Sequence, residues 1–269
     1  MGLLSPAVTP GRLEADAPTP RSRRIRFGWV LEIIGVRAVT TVYDWARDQL
    51  IGSEADAFRH ARQVIRGERL LGIYHEETIQ EWFLPYRAFI SFWNIFYASV
   101  HFVMPVVALV WLYIKAPARY VRWRNTLIVM LGLALAGFWL YPLMPPRLLP
   151  ASYGFVDTRV EYFGLGEASR DPSADNLYAA MPSLHIGWST WIALALWPLV
   201  RRPWAKALLV AYPAAQLFCT VVTGNHFFLD AVGGWVVLGL AYALASARRV
   251  WRRLRRAARG RPLSVADRS

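Results

Sequence analysis

The sequence predicts an all-α integral membrane protein, a six-helix bundle with short ends outside the bilayer. Three observations predict it. Several apolar runs approach or reach the roughly 20 residues that a helix needs to cross a hydrocarbon core. Hydrophobic residues make up 55% of the 269, and 13 are Trp. The formal charge of +13, from 31 Lys+Arg against 18 Asp+Glu, gathers between the runs and at the two ends. Basic residues in that arrangement write membrane topology. They do not trace a nucleic-acid surface, so the expected surroundings are membrane and no nucleic acid.

Residues 1–24, rich in Pro, Ala and Thr, lack an apolar signal core and read as a disordered, uncleaved tail. A membrane-embedded catalytic domain is expected over 25–247 and a basic cytoplasmic tail over 248–269. Within the domain, five spans are expected at about 88–114, 126–143, 184–200, 207–223 and 227–247. A weaker sixth covers 27–47, because Glu32, Arg37 and Asp44 interrupt it, and each charge at a helix centre costs about 2.5–3.5 kcal/mol. That segment either spans or lies in the interface. Residues 51–85 read as a segment of mixed charge, with a short surface helix between Leu70 and Leu84.

Orientation follows from Lys and Arg. Residues 115–124 carry four basic residues, 201–206 carry three and 248–261 carry eight, all without an acid. These segments are expected in the cytoplasm, with both termini. The loops 144–183 and 223–227 then face outward. Trp111, Trp123, Trp197, Trp204 and Trp251 fall near the inner boundary, as an aromatic belt would. The single cysteine, Cys219, excludes an internal disulfide and a cysteine-rich zinc site.

Three separate segments place reactive groups on the outward side. In Gly224-Asn225-His226-Phe227-Phe228-Leu229-Asp230, the carboxylate lies four residues after the imidazole. That spacing puts both on one helix face within hydrogen-bonding reach. A carboxylate on one ring nitrogen leaves the other free to attack. In Met181-Pro182-Ser183-Leu184-His185 a second histidine follows a helix start, where free amides favour an anion. It is suited to protonate a leaving group. Arg147, among Pro142, Pro145, Pro146 and Pro150, presents a fork of donors matched to phosphate oxygens. Nucleophile, acid and anion cradle together describe phosphoryl transfer through a phosphohistidine.

With these residues the chain resembles the type 2 phosphatidic acid phosphatase superfamily, which shares its helical core with vanadium haloperoxidases. Pro182-Ser183-Leu184-His185 is similar to the family's Pro-Ser-Gly-His motif, with Leu184 as the departure. His226 and Asp230 match the third motif. The resemblance covers about residues 86–247. It implies His226 as nucleophile, Asp230 as its partner, His185 as general acid, and Ser183 and Arg147 as phosphate ligands. Two cations of the family's pattern are missing: Leu140 stands where a lysine precedes the arginine, and Cys219-Thr220 where Ser-Arg precedes the histidine. The Pro-Ser-Leu-His form and the Pro-Pro-Arg segment look more like the inositol phosphorylceramide synthase branch. That likeness implies transfer of a phospho-head group to a lipid hydroxyl, beside plain hydrolysis.

Other residues and readings complete the expectations. His75, Arg87 and His101 are secondary site candidates. The first two lie near the outer surface, where they could replace the missing phosphate contacts. His101 sits inside an apolar run, where a structural hydrogen bond to Asn94 or a neighbouring helix is the simpler role. The aromatic residues Tyr153, Phe155, Tyr162, Phe163 and Tyr178 could roof a pocket. Two histidines and an aspartate also form a zinc- or iron-type donor set, but no further His-rich spacing supports it; no metal and no cofactor are expected. The expected substrate is a phospholipid, or an isoprenoid or sphingoid lipid. The rival class is a non-enzymatic lipid transporter or scaffold, for which broken helices at mid-membrane would speak.

Overall fold

The structure is a computed structural model that describes residues 28–162 and 176–258, with side chains as far as residue 247. The expected tail 1–24 and Phe163 lie outside the described residues. The chain divides into two compact units, Met1–Thr41 and Val42–Ser269. The boundary falls inside the first helix, α1 (Gly28–Gln49). The second unit continues with α2 (Glu54–Leu71), α3 (Glu76–Phe83), α4 (Arg87–Lys115), α5 (Pro117–Leu140), α6 (Thr158–Glu161), α7 (Leu184–Leu196), α8 (Pro203–Val222) and α9 (Phe228–Ala258). The all-α expectation holds for the described residues, which contain no strand and one isolated bridge, Leu143 with Ala179.

Four helices among the described residues are long and apolar enough to cross a membrane: α4, α5, α8 and the Phe228–Ala247 part of α9. They mark the chain as a multi-pass membrane protein. Neither α1 nor α7 meets that length and apolarity. The 184–200 run is a 13-residue helix followed by a 3-10 turn at Trp197–Leu199. At 1.5 Å per residue it is about 20 Å long, short of the roughly 30 Å core. It packs against α4, α5, α8 and α9. Its Trp191 is fully buried and gives its indole N–H to the Trp123 carbonyl at 3.0 Å. Trp123 is itself 5% exposed, so it is a core residue rather than part of a belt.

Helix α5 starts earlier than its hydrophobicity suggests. Pro117, at a first helical position, sets the start. Arg119, Arg122 and Arg124 therefore sit on its first turns instead of in a loop. Pro105 and Pro213 lie inside α4 and α8, which run through them unbroken. The broken mid-membrane helices of a transporter are not seen at these positions.

The bundle carries a cap at one end, where α5 stops and α4, α7 and α9 start. Helix α2 is an amphipathic helix not anticipated from hydropathy. Ser53 caps its first turn through the Asp56 N–H at 3.1 Å, and Gly72 closes it in the left-handed region at φ 70°. Its apolar stripe, Ala57, Ala61, Val64 and Ile65, packs against Leu143, Met144, Leu149, Phe155, Leu177, Tyr178 and Phe227. Phe155 and Tyr178 thus fill a second small core and do not roof an open pocket. Tyr153 packs against the same cluster, and Tyr162 gives its hydroxyl to the Leu84 carbonyl at 3.0 Å.

Candidate active site

The turn between α8 and α9 builds the centre of the site. Gly224 has φ 68°, a conformation that costs an L side chain energy and glycine little. Its carbonyl receives the Arg147 N–H at 2.8 Å. The guanidinium then reaches the next residue, its Nε donating to Asn225 Oδ1 at 3.0 Å. Arg147 is thereby pinned to the two residues that precede His226.

His226 is 5% exposed and Asp230 fully buried. His226 Nδ1 lies 3.1 Å from Asp230 Oδ2, the expected i,i+4 contact. The same oxygen accepts the Phe227 N–H at 3.0 Å. An oxygen that already accepts from the main chain is the acceptor for the ring as well, which assigns the ring proton to Nδ1. Nε2 is then a free lone pair; it is buried and has no partner.

His185 faces it, with ring centroids 5.5 Å apart. The His185 ring is held by stacking and not by a carboxylate. Tyr97 lies against it at 4.0 Å and His101 at 3.8 Å; Trp188 in turn stacks on His101 at 4.3 Å. The four rings alternate between α4 and α7, so two rows of i,i+4 and i,i+3 neighbours interleave. Such offset stacks each contribute about 0.5–1.5 kcal/mol beyond their buried area. His185 Nε2 has no partner. His101 does not bond Asn94, whose amide goes instead to Ile90 O at 3.0 Å and Thr158 Oγ1 at 3.1 Å. It belongs to the site as the ring behind His185.

Ser183 precedes α7. Its side chain caps nothing, and its buried Oγ has no partner. Its N–H donates to the Asp230 carbonyl at 3.0 Å, which ties the start of α7 to the first turn of α9. The two helices meet at Gly234, where a Cβ would collide with the Ser183 carbonyl. Only glycine allows this approach, and the approach brings the two histidine rings to 5.5 Å at a tilt of 56°.

Arg147 is 6% exposed, and its second contact is an ion pair: Nη1 lies 3.2 Å from Asp157 Oδ2. Burial pushes the guanidinium below its ordinary value and Asp157 acts the other way. An arginine stays charged under either influence, so the site holds a cation already matched by an anion. Nothing cationic occupies the family positions that sequence left empty. Leu140 is 68% exposed at the end of α5. Cys219 Sγ is spent on the Trp93 carbonyl and Thr220 Oγ1 on that of Leu217.

The other two secondary candidates are not brought to the histidines. His75 is exposed at the start of α3. Arg87 is exposed and lies over the Tyr162 ring at 4.8 Å. Conversely, Tyr97, Asn225 and Asp157 were not singled out by sequence. Tyr97 stands four residues before His101, a helical neighbour that its spacing discloses. The Gly-Asn pair before His226 is a turn signal. Asp157 had no local signal.

Residues 62–244 match the PAP2 superfamily. The chain belongs to the PAP2 superfamily. The match begins earlier than the motifs do and takes in most of α2 and all of α3, so the cap is part of the family unit. Membership points to phosphatase-type chemistry on a lipid. Neither a curated protein nor a solved structure matches the chain.

Proposed function

We propose that this PAP2-superfamily protein is a lipid phosphotransferase that works through a phosphohistidine at the outer membrane face. The observation that carries it is the free Nε2 of His226, oriented by Asp230 through Nδ1 and facing His185. His226 Nε2 attacks phosphorus, and the bond from phosphorus to the leaving lipid oxygen breaks. His185 delivers the proton to that oxygen. His185, now neutral, takes the proton of the acceptor hydroxyl, whose oxygen attacks phosphorus and breaks the P–N bond. Ser183 Oγ and the uncapped first-turn amides of α7 meet the phosphate oxygens, with Arg147 as a further phosphate ligand.

Charge favours a phosphodiester as donor. A phosphomonoester carries nearly two negative charges at neutral pH, which suits the cation-rich site of a phosphatase. Here two of those cations are absent and Arg147 is balanced by Asp157. A monoanionic phosphodiester, with its head group retained on His226 and passed to a lipid hydroxyl, suits such a site better. This supports the head-group transfer of the inositol phosphorylceramide synthase type. The apolar spans of the bundle suit phospholipid, isoprenoid or sphingoid chains alike.

The test is incubation of the purified protein with a head-group-labelled phospholipid and a lipid alcohol, in the presence of EDTA. The expected outcome is a new labelled phospholipid, and label on His226 when the alcohol is left out. Free phosphate as the sole product would make it a phosphatase. Activity that only a divalent ion restores would overturn the mechanism.

A further inference from the structure

The start of α9 is held from outside by two acids that the mechanism above does not use. Glu68 on α2 and Glu76 on α3 are both fully buried. Glu76 Oε1 accepts the Phe228 N–H at 2.9 Å, and Glu68 Oε1 accepts the Leu229 N–H at 2.7 Å. With Phe227 N–H on Asp230, three successive amides end on three different carboxyl groups. A helix start offers about half a positive charge, and here that charge is already answered. Glu68 Oε2 is buried and no donor reaches it. The two carboxyls sit on adjacent amides of one turn, and Glu76 is the side-chain hydrogen-bond neighbour of the Glu68 carboxyl.

Two buried carboxyls in contact do not both ionise. We propose that Glu68 and Glu76 share one proton and, as a hydrogen-bonded pair, position His226 and Asp230 by clamping the first turn of α9. They are positioning residues: they touch the main chain of the catalytic helix, not the reacting atoms. The inference rests on the phosphotransferase reading for its kinetic consequence, though not for the pair itself.

The surroundings favour the shared proton. Burial and then Glu76 push the Glu68 carboxyl up from 4.5 to about 9. The Leu229 N–H pulls the other way, and Asp230 of α9 adds a smaller push upward. The remaining groups near the pair are Tyr74, Arg69 and Glu77; the Arg69 guanidinium lies over the Tyr74 ring at 4.9 Å. None of them donates to Glu68 Oε2. At neutral pH Glu68 therefore carries the proton of the pair.

Glutamine at position 68 keeps an acceptor for Leu229 and a donor for Glu76, and it cannot ionise. Alanine keeps neither. The experiment compares wild type, E68Q and E68A in micelles, by transfer rate and by unfolding midpoint from pH 5 to 10. E68A is expected to lower kcat about tenfold or more with KM little changed, since a misplaced nucleophile loses rate and not binding. E68Q is expected to restore kcat to within about threefold of wild type. Wild-type rate should fall as pH passes about 9, and E68Q should lack that limb.

The midpoint reads the pair without activity. A carboxyl raised in the folded state gives stability that is complete below its unfolded value. That stability is lost as pH rises towards the folded value. Wild type should thus lose midpoint relative to E68Q between about pH 5 and 9. Parallel midpoint curves, or an E68Q protein as slow or as poorly folded as E68A, would overturn the pair. If wild type transfers nothing, the phosphotransferase reading fails and the midpoint curves still decide the pair.

Discussion

Two helix starts form the site, and they are built in opposite ways. The start of α9 is saturated: Asp230, Glu76 and Glu68 take the amides of Phe227, Phe228 and Leu229. The start of α7 is left open, since no side chain caps it and Ser183 Oγ has no partner. The histidines follow the same division. His226 is fixed by a hydrogen bond to a carboxylate, whereas His185 is held between the rings of Tyr97 and His101 and by the Tyr97 main chain. Under the proposed mechanism the difference separates two tasks. A nucleophile gains from a rigid, pre-oriented ring whose lone pair points one way. An anion site gains from donors that nothing else has claimed. A first turn that served both would have to give up one set of amides to do the other job.

The sharpest way to break this comparison is to remove each histidine. His226→Ala should abolish transfer, by about 10⁴-fold or more, because the covalent route is lost. His185→Ala should cost less, about 10²–10⁴-fold, the usual worth of a general acid. The two variants should differ in kind as well as size. Mass measurement after addition of the lipid donor should find phosphohistidine in the His185 variant and none in the His226 variant. An equal loss with no covalent adduct in either would remove the distinction between the two helix starts.

A smaller effect is expected at the open start. Ser183→Ala removes one hydroxyl that nothing else in the protein uses. A hydrogen bond to a charged group contributes about 1.5–3 kcal/mol, so KM for the phospholipid should rise at least about tenfold. Stability should hardly move, since no internal bond is lost. A fall in unfolding midpoint with an unchanged KM would place Ser183 in the scaffold instead.

How far these features can be read from sequence depends on what holds them. The His226–Asp230 contact is set by helical spacing alone and is legible. The long spans α4 and α8 are legible from apolar runs. The starts of α5 and the brevity of α7 are not, because arginines on first turns and a core helix of Trp and Ala defeat hydropathy in opposite directions. Helix α2 had its signals in the Ser53 cap, the Ala57-Ala61-Val64-Ile65 stripe and Gly72. Its mean polarity hid them. Glu68 and Glu76 read as ordinary surface acids. Their burial depends on α2 and α3 folding over α9, a contact between residues 161 and 152 positions apart. No local pattern announces such a contact. The Arg147 position was legible, but its partner Asp157 was not.

That partner gives the finest test. Asp157→Asn keeps the size of the side chain and removes its charge, so Arg147 becomes a buried cation without a counter-ion. Removing one partner of a buried pair costs about 3–5 kcal/mol, and the substituted protein should unfold at a lower temperature. A bound anion can return part of that cost. Inorganic phosphate or vanadate should therefore raise the midpoint of Asp157→Asn more than that of wild type. The same surplus of positive charge should favour a dianionic monoester over a monoanionic diester by about threefold to tenfold, as one additional charge-assisted contact would. The reading that a balanced site selects a phosphodiester stands on this shift. Competition between a labelled phosphomonoester and a labelled phosphodiester lipid measures it directly. A preference that stays where it was would mean that selectivity is not written in the Arg147–Asp157 pair.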